Sequence, residues 1–145
     1  KVFRITMMLV AIGALACTSK KDKASDEDHE ISGGTWSEMD NFHMIMAESF
    51  HPFKDSSNLE PAIKNSEAMA AAADRWASAS MPERVDNEGT KAKLQQLRNA
   101  ASAFNKLVKS GDPQEIGNSL TELHDLFHEL QEEWYGAAGG HEEHH

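Results

Sequence analysis

The sequence predicts an all-α protein, an up-down-up-down antiparallel four-helix bundle. Three observations carry this. Four stretches place apolar residues at spacings of three and four, short polar or proline-bearing breaks separate them, and no stretch alternates with period two over a strand length. These stretches occupy residues 35–136, about 100 residues, the size of one domain.

The first helix is expected from Thr35. Thr35-Trp36-Ser37-Glu38 has the pattern of a capping box, in which the Thr side chain and Glu38 satisfy free amide donors reciprocally. Trp36, Met39, His43, Met46, Phe50 and Phe53 then form one seam. Pro52 is expected to close the helix, because the residue before a proline disfavours the α region. The second helix is expected from Asn58 to Ala79. Asn58 is its cap and Pro61 lies in the first turn, where a missing N–H costs little. Ile63, Met69, Ala70, Ala73, Trp76 and Ala77 line its inner side, and Met81-Pro82 ends it.

The third helix is expected from Gly89 to Lys109, with Leu94, Leu97, Ala101, Phe104 and Val108 as its seam and Gly111 as the residue after its end. The fourth has the clearest entry: Asp112 caps, Pro113 takes the first helical position and Glu115 completes the box. Its seam is Ile116, Leu120, Leu123, Phe127, Leu130 and Trp134, and Gly136 is expected to stop it.

The ends of the chain have a different character. Lys1 and Arg4 precede an apolar run of about 12 residues, too short to span a bilayer as a helix, and small residues Ala14 and Ala16 lead to Cys17. That is the order of a secretory signal over residues 1–16. Cys17 is the single cysteine, so no intramolecular disulfide forms. A lone Cys at this place resembles the lipidation site of bacterial lipoproteins, although Ala14 stands where that pattern has Leu and Leu15 follows it. The resemblance implies a lipid anchor on Cys17 and a lipid-anchored location in the cell envelope. The alternative is an ordinary secretory signal cut near Ala16. Residues 17–34 are polar and charged, with little to bury, and are expected to form a flexible tether. Residues 137–145 are expected to form a loose His/Glu-rich tail that holds divalent ions weakly.

The net charge is −10 at pH 7, and removal of Lys1 and Arg4 with the signal makes it more acidic by two. Such a chain lacks the Lys and Arg clusters that neutralise phosphates, so no nucleic-acid partner is expected. Docking of the bare protein surface on anionic lipid is disfavoured for the same reason.

Of eight histidines, His29 lies in the tether and His141, His144 and His145 in the tail. His43 holds a seam position on the first helix, where a polar ring must find a partner. His124 and His128 are four apart and share one face of the fourth helix. Antiparallel pairing of the first and last helices places His43 opposite about Phe127, so His43, His124 and His128 are expected at one level. Three imidazoles from two facing helices suit a transition-metal ion, copper or zinc. The alternative is a hydrogen-bonded polar layer. His51, roughly 12 Å beyond His43 along the helix, is expected to be an exposed residue near the helix end.

The run Leu120-Thr121-Glu122-Leu123-His124-Asp125-Leu126-Phe127-His128 resembles the last helix of the soluble four-helix cytochromes, the cytochrome b562 and cytochrome c-prime families. The resemblance spans about residues 35–135. It implies haem b with His128 as one axial ligand and Met39 as the other, with His43 or Met44 as alternatives, and electron transfer to an envelope redox partner. No Cys-x-x-Cys-His precedes His128, so covalent haem is excluded. His124 stands at the first of those cysteine positions, which points instead to a bare ion on His43, His124 and His128 and to metal handling.

Enzyme readings find little. There is no Gly-rich phosphate loop and no nucleophilic Cys beyond Cys17. Asp125 and His128 have only the spacing of one di-iron motif, with Asp in place of Glu. The expected function is therefore non-enzymatic binding of haem or a metal ion between the first and last helices. The alternative is a structural or partner-binding lipoprotein with no cofactor.

Overall fold

The computed structural model describes residues 35–139. The signal, Cys17, the tether and tail residues 140–145 lie outside the described residues. Four helices follow one another: α1 (Ser37–Ser56), α2 (Glu60–Ser78), α3 (Glu88–Leu107) and α4 (Pro113–Gly139), with a short 3-10 turn at Glu83–Val85 between α2 and α3. Consecutive helices pack against each other, and α4 returns to α1, which closes the bundle. Short connections force antiparallel neighbours, as the sequence predicts.

The helix starts show which side chains act on the backbone. Asp112 accepts from the Gln114 and Glu115 amides at 2.8 and 3.0 Å and opens α4. Asn87 accepts from the Thr90 amide at 3.0 Å and opens α3 one residue earlier than Gly89. Asn58 accepts from the Glu60 amide at 3.0 Å ahead of α2, but the cap position falls on Leu59 rather than on Asn58. The Thr35–Glu38 box does not form. Trp36 holds the cap position, makes no side-chain cap bond and is buried, while Ser37 donates to Glu38 instead. Burying an indole outweighs a cap bond of about 1 kcal/mol. Asp112→Ala is expected to cost about 1 kcal/mol, seen as a lower urea midpoint at unchanged slope.

Beyond shifts of one or two residues, such as α3 ending at Leu107 rather than Lys109, two helix ends differ from expectation. Pro52 sits inside α1 rather than closing it, and the chain stays helical to Ser56. Ser57 then turns into the left-handed region at φ 56°. Its amide donates to the Phe53 carbonyl at 2.7 Å and the Asn58 amide to the Pro52 carbonyl at 3.2 Å. This pair of bonds satisfies the last carbonyls, so the helix stops there. The extra turn sets the Phe53 ring over Gly117 of α4, where a Cβ would lie 2.8 Å from the ring edge. Likewise α4 runs past Gly136 to Gly139, because a glycine inside a helix costs only about 1 kcal/mol. At the α3–α4 corner Gly111 is required: its amide donates to the Leu107 carbonyl at 2.6 Å, and a Cβ would meet the Leu107 side chain at 2.6 Å.

All six α4 seam residues are buried. On α2 the inward residue is Ala62, and Ile63 stands 41 % exposed, contrary to the expected inner position. Adjacent residues differ by about 100° around a helix, so the smaller side chain faces α1 and α3 where space is short. On α1 the buried position expected for His43 belongs to Phe42, which is fully buried, while His43 is exposed. A phenyl ring gains from burial, whereas an unpartnered imidazole loses by it. Phe42, Trp76, Phe127, Trp36 and Trp134 form a chain of ring contacts at 5.1–6.3 Å through the core. Arg84 caps it, its guanidinium 3.0 Å from the Trp134 ring centroid.

Candidate functional site

The site is built on the middle of α4. One turn separates His124 from His128, and their Nε2 atoms are 3.1 Å apart. The rings meet edge to face, with centroids 4.4 Å apart. Phe50 of α1 holds His124 from below: the two rings stack at 3.7 Å and 13°. Phe127 lies edge-on to His128 at 5.6 Å. Phe50 thus gives His124 a platform on the core side, while the side chain of His124 is half-buried and His128 is exposed.

The tautomers follow from the neighbours. Asp125 Oδ1 lies 3.6 Å from His124 Nδ1, too far for a hydrogen bond but close enough to favour a proton on Nδ1. His124 Nε2 then carries a lone pair, and its 3.1 Å contact with His128 Nε2 is a hydrogen bond when that ring holds its proton on Nε2 and is free for an ion when the proton is on Nδ1. Burial against α1 pushes the His124 pKa below its ordinary 6.5, His128 and Lys54 push the same way, and Asp125 opposes them. The neutral ring is therefore favoured in the fold. Because the folded value is lowered, this stabilisation is fully present above about pH 6.5 and is lost as pH falls through the lowered folded value. His124→Gln is expected to flatten that part of the stability–pH curve, read from urea midpoints between pH 5 and 7.

The same geometry suits a shared ion. With metal–nitrogen bonds of about 2.0–2.1 Å, two nitrogens 3.1 Å apart subtend roughly 100° at the ion, between square-planar and tetrahedral values. Asp125 would then play the part of the carboxylate that orients a ligating imidazole through its other nitrogen.

His124 and His128 come together, and His43 does not join them. Its ring stacks on Phe127 at 5.1 Å and 18°. Among the described residues, no three His, Cys, Asp or Glu side chains gather where they would hold an ion. His51 is exposed on α1.

Met39 is 2 % exposed within the core, whereas His128 lies on the outside, so the two do not face each other across a gap. The interval between α1 and α4 is filled by Phe42 against Phe127 and Trp36 against Trp134. Haem does not fit this packing without displacing those rings. Met44, the other thioether named for that role, is 62 % exposed.

Sequence reasoning found the histidine pair by its spacing but missed Phe50 and Asp125 as its supports. Asp125 adjoins His124 in the chain, which was the available signal. The Phe50 stack depends on how α1 lies against α4, which no local pattern encodes. Among the described residues, no helix is long and apolar enough to cross a membrane.

The chain matches no protein-family model, no curated protein and no solved structure.

Proposed function

We propose that this protein is a non-enzymatic lipoprotein of the cell envelope, anchored through Cys17, whose bundle binds a transition-metal ion, copper or zinc, through His124 and His128. The observation that carries the reading is the 3.1 Å separation of the two Nε2 atoms, with the His124 ring held by its stack on Phe50. Imidazole nitrogen is a ligand for zinc and copper rather than for magnesium or calcium. Two imidazoles on the surface of α4 supply part of such an ion's coordination and leave the rest to other ligands, which suits metal handling. His43 would join only by leaving its stack on Phe127. The anchor and the envelope location rest on the signal pattern of residues 1–16 and on Cys17 alone.

The test is the metal and haem content of the protein purified from its own envelope, followed by titration of the metal-free form. The expected result is stoichiometric zinc or copper, lost in His128→Ala, with no Soret band on mixing with haem. A Soret band abolished by His128→Ala would replace the ion with haem and require the core rings to open. If neither ligand is taken up, the structural or partner-binding role stands in place of this one.

A further inference from the structure

We infer that the ion joins two copies of this chain, each supplying His124 and His128. The inference rests on the metal-binding reading above. Two imidazoles fill half of the four-coordinate sphere that zinc adopts in closed sites. Among the described residues, no third His, Cys, Asp or Glu of the same chain completes the set. The remaining ligands therefore come from outside the described bundle: from water, from the tail histidines, or from another molecule.

A second copy is the occupant that the geometry fits. It presents an identical pair already at the ligand spacing, with His124 held by its stack on Phe50, so little ordering is lost when it binds. Two pairs around one ion are related by a two-fold axis through it, the commonest way for identical chains to associate. The approach is open. His128 is exposed, and Thr121, Asp125, Glu129 and Glu132 along the outer side of α4 are exposed as well. Those carboxylates and the net charge of −10 make two copies repel one another. Association therefore depends on the ion, whose positive charge lies between the acidic faces. In a tetrahedral sphere the planes of the two histidine pairs are perpendicular, so the two α4 helices cross at a steep angle. A square-planar copper site would bring them closer to parallel.

The experiment is sedimentation velocity of the full chain with half an equivalent of zinc chloride, paired with calorimetric zinc titration. The same measurements are made on His128→Ala and on a full-length variant with His141→Ala, His144→Ala and His145→Ala. His128 is exposed, so His128→Ala is expected to keep the helical circular dichroism of the parent. The expected result is a species of twice the mass of the single chain, with one zinc per two chains, unaffected in the tail variant and absent in His128→Ala. A monomer that binds one zinc per chain through His128 overturns the bridge and leaves the metal site standing. A dimer that survives His128→Ala, or disappears in the tail variant, also overturns it. Failure of the parent chain to bind zinc or copper at all removes the metal reading itself, and the bridge with it.

Discussion

Trp76→Ala is expected to lower the free energy of unfolding by about 3–5 kcal/mol, the usual cost of truncating a buried aromatic side chain. Trp76 is fully buried near the end of α2. Its ring meets Trp36 at 5.1 Å, Phe42 at 5.8 Å and Phe127 at 6.3 Å, so it links residues of α4, α1 and the entry to α1. Removing it leaves a cavity lined by rings from both α1 and α4, which cannot close it together. A domain of this size has roughly 5–15 kcal/mol in total, so the loss is a large fraction of its stability. The check is urea denaturation followed by circular dichroism, with Met44→Ala as the control. Met44 is 62 % exposed, and its truncation is expected to change stability by no more than about 0.5 kcal/mol. Equal losses for the two variants would contradict the packing described.

The second large effect is on ion binding. His128→Ala is expected to weaken zinc or copper binding by at least about 100-fold, because it removes one of the two ligands each chain supplies, where even a supporting residue is worth roughly 10–100-fold. Asp125→Asn removes only the charge beside His124 Nδ1 and is expected to cost about 10-fold. Phe50→Leu keeps the bulk but loses the flat platform beneath His124, and should weaken binding while leaving His128 in place. A competitive chelator titration ranks the three. If Asp125→Asn were as damaging as His128→Ala, the carboxylate would be a ligand rather than an orienting group. Binding should also weaken as pH falls, since protons compete for both Nε2 lone pairs.

The ordering of these effects reflects how the bundle is specified. On α4 the seam from Ile116 to Trp134 is a clean run of large apolar residues, and every member is buried. Where two adjacent residues compete for one inward position, periodicity leaves the choice open. Phe42 displaced His43, and Ala62 displaced Ile63, because the facing helices set how much room each place has. Pro52 shows the same limit at a helix end. A proline marks a lost hydrogen bond, but whether the helix stops depends on what the following turn gains, here the Phe53–Gly117 contact and the Ser57 turn.

By itself the sequence determined four amphipathic helices, their order and the cap at Asp112. It also determined that His124 and His128 share one helix face. Those features are local: they depend on residues within a turn or two of one another. Only the tertiary structure decided that His43 lies on Phe127 outside the core and that Phe50 supports His124. It likewise decided that aromatic rings fill the space between α1 and α4. These depend on the rotation and offset of one helix against another, which are set by side chains packing together from distant parts of the chain.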